Sequence, residues 1–238
     1  MLIHVVRSLR AVRHVGKLVI SIDDPVKLAD LSEVWDLVSS GVLSFHTSGH
    51  SPSASVHEYL RVLPAKELLL VTTADHPLLT PDALEFFCSA VLNNDADVTV
   101  GVVTAALFRK HYPESKRSFI QLRDESFCGA NLFAFRSGSR ATAAAAFWDY
   151  AGQFRKRPWR LVRTFGLVNL LLCVLRRLDR KAALVRAGRV IGARLAVVSL
   201  PFAECAIDVD SPADLALATR ILSAHETVAA DHSLSLLK

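Results

Sequence analysis

Two short acidic turns carry the side chains best suited to chemistry. In VTTADHPLLTP, Val71 to Pro81, Asp75 stands just past the apolar run KELLLV. Pro81 then opens a stretch with apolar residues at helical spacing. In AIDVDSPADL, Asp208 and Asp210 occupy the same kind of place, with Pro212 near the first turn of the next helix. Both turns read as strand-to-helix junctions. In a parallel sheet such junctions lie along one edge, the edge where ligands bind. Asp75 could therefore converge with Asp208 or Asp210. Two carboxylates together with phosphate oxygens suit Mg²⁺, a hard cation that prefers oxygen. Such an ion neutralises a polyphosphate and orients it for in-line attack. The competing reading is two capped helices whose acids favour the helix dipole. The pair of acids ahead of one helix in DVDSPADL weighs toward function.

A third stretch, TSGHSPSASVHEYL from Thr47 to Leu60, is rich in small hydroxyl residues up to Ser53, with Ser51 or Ser53 as a helix cap. A loop of this kind at a helix N-terminus can receive phosphate or hydrogen-bond a base. His46, His50, His57 and His76 gather near these segments, with no metal-ligand spacing among them. His76, inside the acidic turn, is the histidine placed to meet a ligand. Lys116 and Arg117 could meet a substrate phosphate, although a solvated surface explains them more simply.

The elements that must position these residues are legible in order. Met1–Val12 has the apolar spacing of an amphipathic helix that Gly16 stops, and Lys17–Asp23 reads as a strand. Residues 28–38 follow as a helix and 41–46 as a short strand. Residues 95–103 read as a strand leading into a basic, irregular segment, ALFRKHYPESKR. Residues 118–124 and 130–136 form two strands that can pair as an antiparallel excursion. Helices are expected over 137–150, 159–178 and 181–190, a strand over 193–200, and a short strand then a helix over 206–222. Alternating strands and helices imply a mostly parallel, doubly wound sheet. The expected fold is α/β, a Rossmann-like mixed sheet with helices on both faces, as one domain over 1–225 with a flexible tail over 226–238.

Composition excludes some classes. With 51% hydrophobic and 21% charged residues and a mean hydropathy of +0.31, the chain is not disordered. The formal charge of +5 is concentrated between Arg155 and Arg194. That cluster suits an acidic partner such as a phosphorylated substrate or an anionic membrane surface, or else simply solvated helix faces. No basic stripe is interleaved with aromatics, so nucleic-acid binding is not expected. Cys88, Cys128, Cys173 and Cys205 lie far apart without a CxxC, which points to free thiols in the cytoplasm. The most apolar stretch, LVNLLLCVL at 167–175, is too short to span a bilayer. It reads as a core helix, and membrane insertion is not expected.

Together, GHSPSASVHEYL, VTTADHPLLTP, CGANLFAF and AIDVDSPADLA, with PVKLADLS more weakly, resemble the MobA-like nucleotidyltransferases, in order along nearly the whole chain. The resemblance implies a Rossmann-like fold of the nucleotide-diphospho-sugar transferase type. It implies that Asp75 and Asp210 hold Mg²⁺, with Asp208 beside them. It also implies that Ser51, Ser53 and Ser55 lie near the nucleotide base, that Thr73 contacts substrate, and that Gly129 and Asn131 face the acceptor. The implied reaction transfers NMP from an NTP to a phosphorylated small-molecule acceptor and releases pyrophosphate. Members of this family open with a strand and a Gly-rich loop bearing cations that grip the triphosphate. MLIHVVRSLRAV resembles the helix after that loop, and the ten glycines are scattered. The expectation is a frame that starts downstream of the clamp, or a nucleotide- or sugar-phosphate-binding module without catalysis. A missing central strand would expose sheet edges and apolar surface on the first helix.

Overall fold

The computed structural model describes residues 1–115, 117–152, 164 and 175–235, the last eleven of them as backbone. Strands β1 (Leu18–Ile22) and β2 (Leu43–Thr47) pair in parallel as one small sheet. Strands β3 (Leu68–Thr72), β4 (Val98–Thr104), β5 (Ile120–Gln121), β6 (Ser126–Arg136) and β7 (Leu195–Ser199) form a second sheet, in the order β3-β6-β4-β7 with β5 alongside β6. β6 runs antiparallel to both β3 and β4, and β7 runs parallel to β4. β3, β4 and β7 therefore point the same way. The sheet is mixed and mostly parallel, as expected.

Helices cover both faces. They are α1 (Leu2–Arg10), α2 (Ser32–Ser39), α3 (Pro52–Leu60), α4 (Pro81–Leu92), α5 (Ala105–His111), α6 (Ser139–Gly152), α7 (Arg180–Ile191) and α8 (Pro212–Ser235). The alternation along β6 sorts the layers. Ala130, Leu132 and Ala134 join a core made with Phe87 of α4, Phe108 of α5 and Ile221 of α8. Phe133 and Phe135 point the other way, among Val56 and Leu60 of α3 and Ala141, Ala144 and Ala145 of α6. Alanines along α6 let that helix approach the sheet closely, and Trp148 fills the remaining space against the Phe133 ring at 4.8 Å.

The helix starts follow local chemistry. Thr80 caps α4 with Pro81 at its first position, Ser51 caps α3, and Asp179 caps α7, each accepting a backbone N–H three residues on. Gly192 ends α7 at φ 77°, a left-handed conformation that costs glycine nothing.

Several expected boundaries move. The segment read as irregular begins with α5, because Thr104 accepts from the Leu107 N–H and starts a helix where only basic residues were conspicuous. The strand expected over 118–124 shrinks to Ile120–Gln121, while its partner lengthens to eleven residues. The short strand expected from Ala206 is not formed: a 3-10 turn ends at Ala206 and residues 207–210 carry no regular secondary structure, and the final helix continues to Ser235. On α1 the expected apolar exposure is not found at Val5 and Val6, which are both buried, Val6 against α2, β1 and β2. The helix expected over 159–178 lies almost wholly outside the described residues, and so does Cys173.

Phe87 is fully buried at the centre of the larger core. Phe87→Ala should destabilise the fold by about 3–5 kcal/mol through lost burial and the cavity left behind. Urea unfolding would show this as a lowered midpoint at an unchanged m-value.

Candidate active site

β3 ends at Thr72, and the chain turns through Thr73, Ala74 and Asp75 before α4. Asp75 thus sits at the carboxyl end of a strand, as its spacing predicts. Among the described residues, one of its carboxylate oxygens, Oδ1, is buried without a hydrogen-bond partner, and so are the Oγ1 atoms of Thr72 and Thr73. Burying polar atoms unpaired costs about 1–3 kcal/mol each. Three such atoms on four consecutive residues mark a place built for something else to complete.

The second acidic turn is tied to the first. The Val209 N–H donates to the Asp75 carbonyl at 2.9 Å, which brings the extended segment 207–210 alongside the β3 turn. In extended backbone Asp208 and Asp210 project from the same side while Val209 faces the core. The two acids differ in availability. Asp208 is held from both sides, accepting from Arg117 on one oxygen and from the Asn131 amide at 2.8 Å on the other. Burial alone would raise its pKa, but the Arg117 hydrogen bond and charge, with help from Asn131, hold it below the ordinary aspartate value. Asp210 is exposed, and among the described residues its side chain takes part in no hydrogen bond or ion pair.

Asn131 reaches Asp208 because β6 is irregular there. The pairing with β4 steps from Val100↔Phe133 to Val102↔Gly129, so β6 spends two extra residues across the bulge. Asn131 adopts φ 46° within it. Bulges of this type re-aim side chains at the ends of sheets. Gly129 stays exposed, with open space where a side chain would project.

His76 is 1% exposed, packed near the Cys205 backbone. Desolvation lowers its pKa against the opposing pull of Asp208, the Cys205 backbone and Asp75. It is a neutral packing element beneath the two acids. Arg117 is not the solvated cation that its sequence context favours: its side chain is 20% exposed and paired with Asp208. Lys116 lies outside the described residues.

The serine loop is also engaged internally. The Ser51 and Ser53 hydroxyls donate to one oxygen of Asp149, at 2.5 and 3.0 Å, and His50 lies 3.3 Å from the other. Ser55 accepts from the Gly49 N–H and donates to the Ser51 carbonyl. Gly49 is required for this approach, since a Cβ there would stand 2.9 Å from Ala54. The structure thus places Asp75, Asp208, Asp210 and Asn131 together, with Thr73 and Gly129 at the same end of the sheet. Ser51, Ser53 and Ser55 form a separate cluster with Asp149. No local pattern in the sequence marks Asp149, because its partners are nearly a hundred residues away.

The remaining nucleophile candidates are inert. Burial pushes the Cys88 and Cys205 thiols up to about 11 and about 12. A thiol so far above neutrality is not a nucleophile at physiological pH. The site offers carboxylates, amides and hydroxyls, which suit charge neutralisation and positioning rather than covalent catalysis.

A family model described as the MobA-like NTP transferase domain matches residues 1–164. No curated protein matches the sequence. Among solved structures, a hypothetical transferase from Thermus thermophilus is similar at 24% identity with a TM-score of 0.71, over 90% of this chain and 85% of that one. A 4-diphosphocytidyl-2C-methyl-D-erythritol synthase from Anaerococcus prevotii is similar at 11% identity and a TM-score of 0.55, over 93% of this chain and 88% of that one. The CMP:2-keto-3-deoxy-manno-octonic acid synthetase solved with CTP is similar at 15% identity and a TM-score of 0.54, over 94% of this chain and 88% of that one. At these identities the likeness is one of fold.

Asp149 joins α3 to α6 through its serine partners, and their hydrogen bonds, Ser51 foremost, lower its pKa. A depressed carboxylate stabilises the fold above its unfolded pKa of about 3.9 and loses that contribution as pH falls through the folded value. Asp149→Asn should therefore lower Tm at neutral pH. The difference from wild type should vanish as pH drops below the aspartate range in a Tm series.

Proposed function

The chain belongs to the MobA-like NTP transferase domain family, and on that premise we propose that it transfers NMP from an NTP to a phosphorylated small-molecule acceptor with release of pyrophosphate. The observation that carries the reading is the unpartnered, buried Oδ1 of Asp75 beside the Val209–Asp75 tether. This is an anionic oxygen withheld from protein donors at the strand end where ligands bind.

Mg²⁺ fits these residues. Among the described residues no three His, Cys, Asp or Glu side chains gather into a metal cage. Mg²⁺ asks for less, one or two carboxylates, with waters and substrate phosphates completing its shell. Asp75 and Asp210 are the better-placed pair, because Asp208 already serves Arg117 and Asn131. When bound, the ion would supply neutralisation of the triphosphate.

In the proposed reaction an acceptor phosphate oxygen forms a bond to the α-phosphorus of the NTP. The bond from that phosphorus to the α,β-bridging oxygen breaks, and pyrophosphate carries the electron pair away. The protein's part is to hold the reacting groups in line. Thr73 would lend its free hydroxyl to a phosphate oxygen. Asn131 and Gly129, on the β6 bulge, would border the acceptor, where the open space at Gly129 leaves room. Ser51, Ser53 and Ser55 would border the base through the loop they stabilise. Buried free thiols at Cys88, Cys128 and Cys205 support a reducing, cytoplasmic setting. No described helix is long and apolar enough to cross a membrane.

Pyrophosphate release from each of the four NTPs, with a panel of phosphorylated acceptors and Mg²⁺, tests the proposal. Asp75→Asn should lower the Mg²⁺-dependent rate by at least a hundredfold, and Asp210→Asn by more than Asp208→Asn at matched stability. Saturable nucleotide binding without pyrophosphate release from any NTP would instead identify a binding module. An unchanged rate in Asp75→Asn would remove the metal assignment.

A further inference from the structure

Arg117 reads more simply as a solvated cation by its sequence context, yet three separate elements converge on its side chain. It lies on the segment between α5 and β5, while Asp208 precedes α8 and Asn131 sits in the β6 bulge. Because Asn131 takes the second oxygen of Asp208, the carboxylate cannot swing away from the guanidinium. Immediately after Arg117 the chain is pinned by Phe119, whose ring packs on Phe108 at 6.0 Å and lies under Arg109 at 4.9 Å. The guanidinium is fixed at both its backbone and its head.

That degree of fixation has no strong structural purpose. A largely buried ion pair is often no more stabilising than apolar packing of the same volume. A guanidinium carries five N–H donors in a planar fork; the Asp208 bond engages Nη2 and the Cys128 thiol is a second partner, which leaves further N–H groups of the fork. The side chain keeps 20% of its surface open. It is therefore a pre-oriented donor beside Asp208, and its partners lie before α8 and on β6 rather than in the serine loop, whose hydroxyls bond Asp149.

We propose that Arg117 is the anion-binding residue for the acceptor, gripping its phosphate monoester through guanidinium N–H groups left over from the Asp208 pair. The assignment of that phosphate to the acceptor rests on the transferase reading above. Arg117 binds, and Asp208 and Asn131 position it. A planar fork matches two phosphate oxygens at once, which a lysine ammonium does not.

Inorganic phosphate is the probe, titrated into the full chain in EDTA and followed by ³¹P line broadening, so that no metal ion takes part. Wild type should bind it saturably. Arg117→Gln should weaken binding at least tenfold, and Arg117→Lys should keep the charge but lose the fork and fall between the two. If Arg117→Gln leaves Asp208 unpaired and fails to fold, the double variant Arg117→Gln with Asp208→Asn removes both charges and should show the same loss. Equal phosphate affinity in wild type and in a folded Arg117→Gln or double variant overturns the proposal, as does absence of phosphate binding by wild type. The transferase reading is judged separately by Mg²⁺-dependent pyrophosphate release. Turnover that persists in wild type while phosphate binding ignores Arg117 sinks this inference alone.

Discussion

Strand β6 is the constraint on which the larger sheet depends. It pairs with β3 along one edge and β4 along the other, over eleven residues. β3 and β4 run in the same direction with β6 between them, so neither reaches the other's hydrogen-bonding groups. Remove β6 and two rows of backbone donors and acceptors lose their partners together. The same strand supplies side chains to both hydrophobic layers, Leu132 to one and Phe133 and Phe135 to the other. The bulge that delivers Asn131 to Asp208 is placed within this strand. Fold and site are thereby specified by one segment of backbone, and a register slip in β6 would scatter both.

Much of this was legible because it is written in short-range patterns. The apolar run before Asp75, the proline at the first helical position and the DVDSP turn each state a strand-to-helix junction within a dozen residues. The antiparallel excursion was visible in the alternation along 130–136. What escaped was non-local. Asp149 looks like an ordinary polar residue on an alanine-rich helix, and its partnership with Ser51 and Ser53 exists only after α3 packs on α6. Arg117 sits among other basic residues and earns a solvated reading by context. Its pairing with Asp208 spans ninety-one positions. Nor does any local pattern separate Asp208 from Asp210. Their difference lies in which oxygens are already occupied, a property of the assembled site.

The site also shows how a family can keep positioning separate from chemistry. Asp210 is exposed and the Asp75 Oδ1 and Thr73 hydroxyl are buried without partners among the described residues, while Asp208 and Asn131 are bonded to one another and His76 is packed in the core. A neutral imidazole packed beneath two aspartates keeps a third charge out of the floor of the site. Electrostatic work is then left to groups that a ligand can reach, a division suited to reactions that need little proton transfer.

Among the described residues the β1–β2 pair stands apart from the β3–β7 sheet, with no ladder joining them. Its attachments are side-chain packing of α1 against α4 and contacts such as the Arg13 N–H to Glu85 bond at 2.8 Å. Cooperativity travels well through continuous hydrogen-bonded sheets and poorly through such seams, so the two sheets constitute separate foldons. Amide protons of β1 and β2 would exchange by local detachment of the small sheet, at a lower free energy than those of β4 and β6. The loop bearing Ser51 follows β2 directly, yet its hydroxyls are bonded to Asp149 of α6, and α3 packs on Phe135 of β6. That loop is thus the link through which an opening of the small sheet would be felt by the large one.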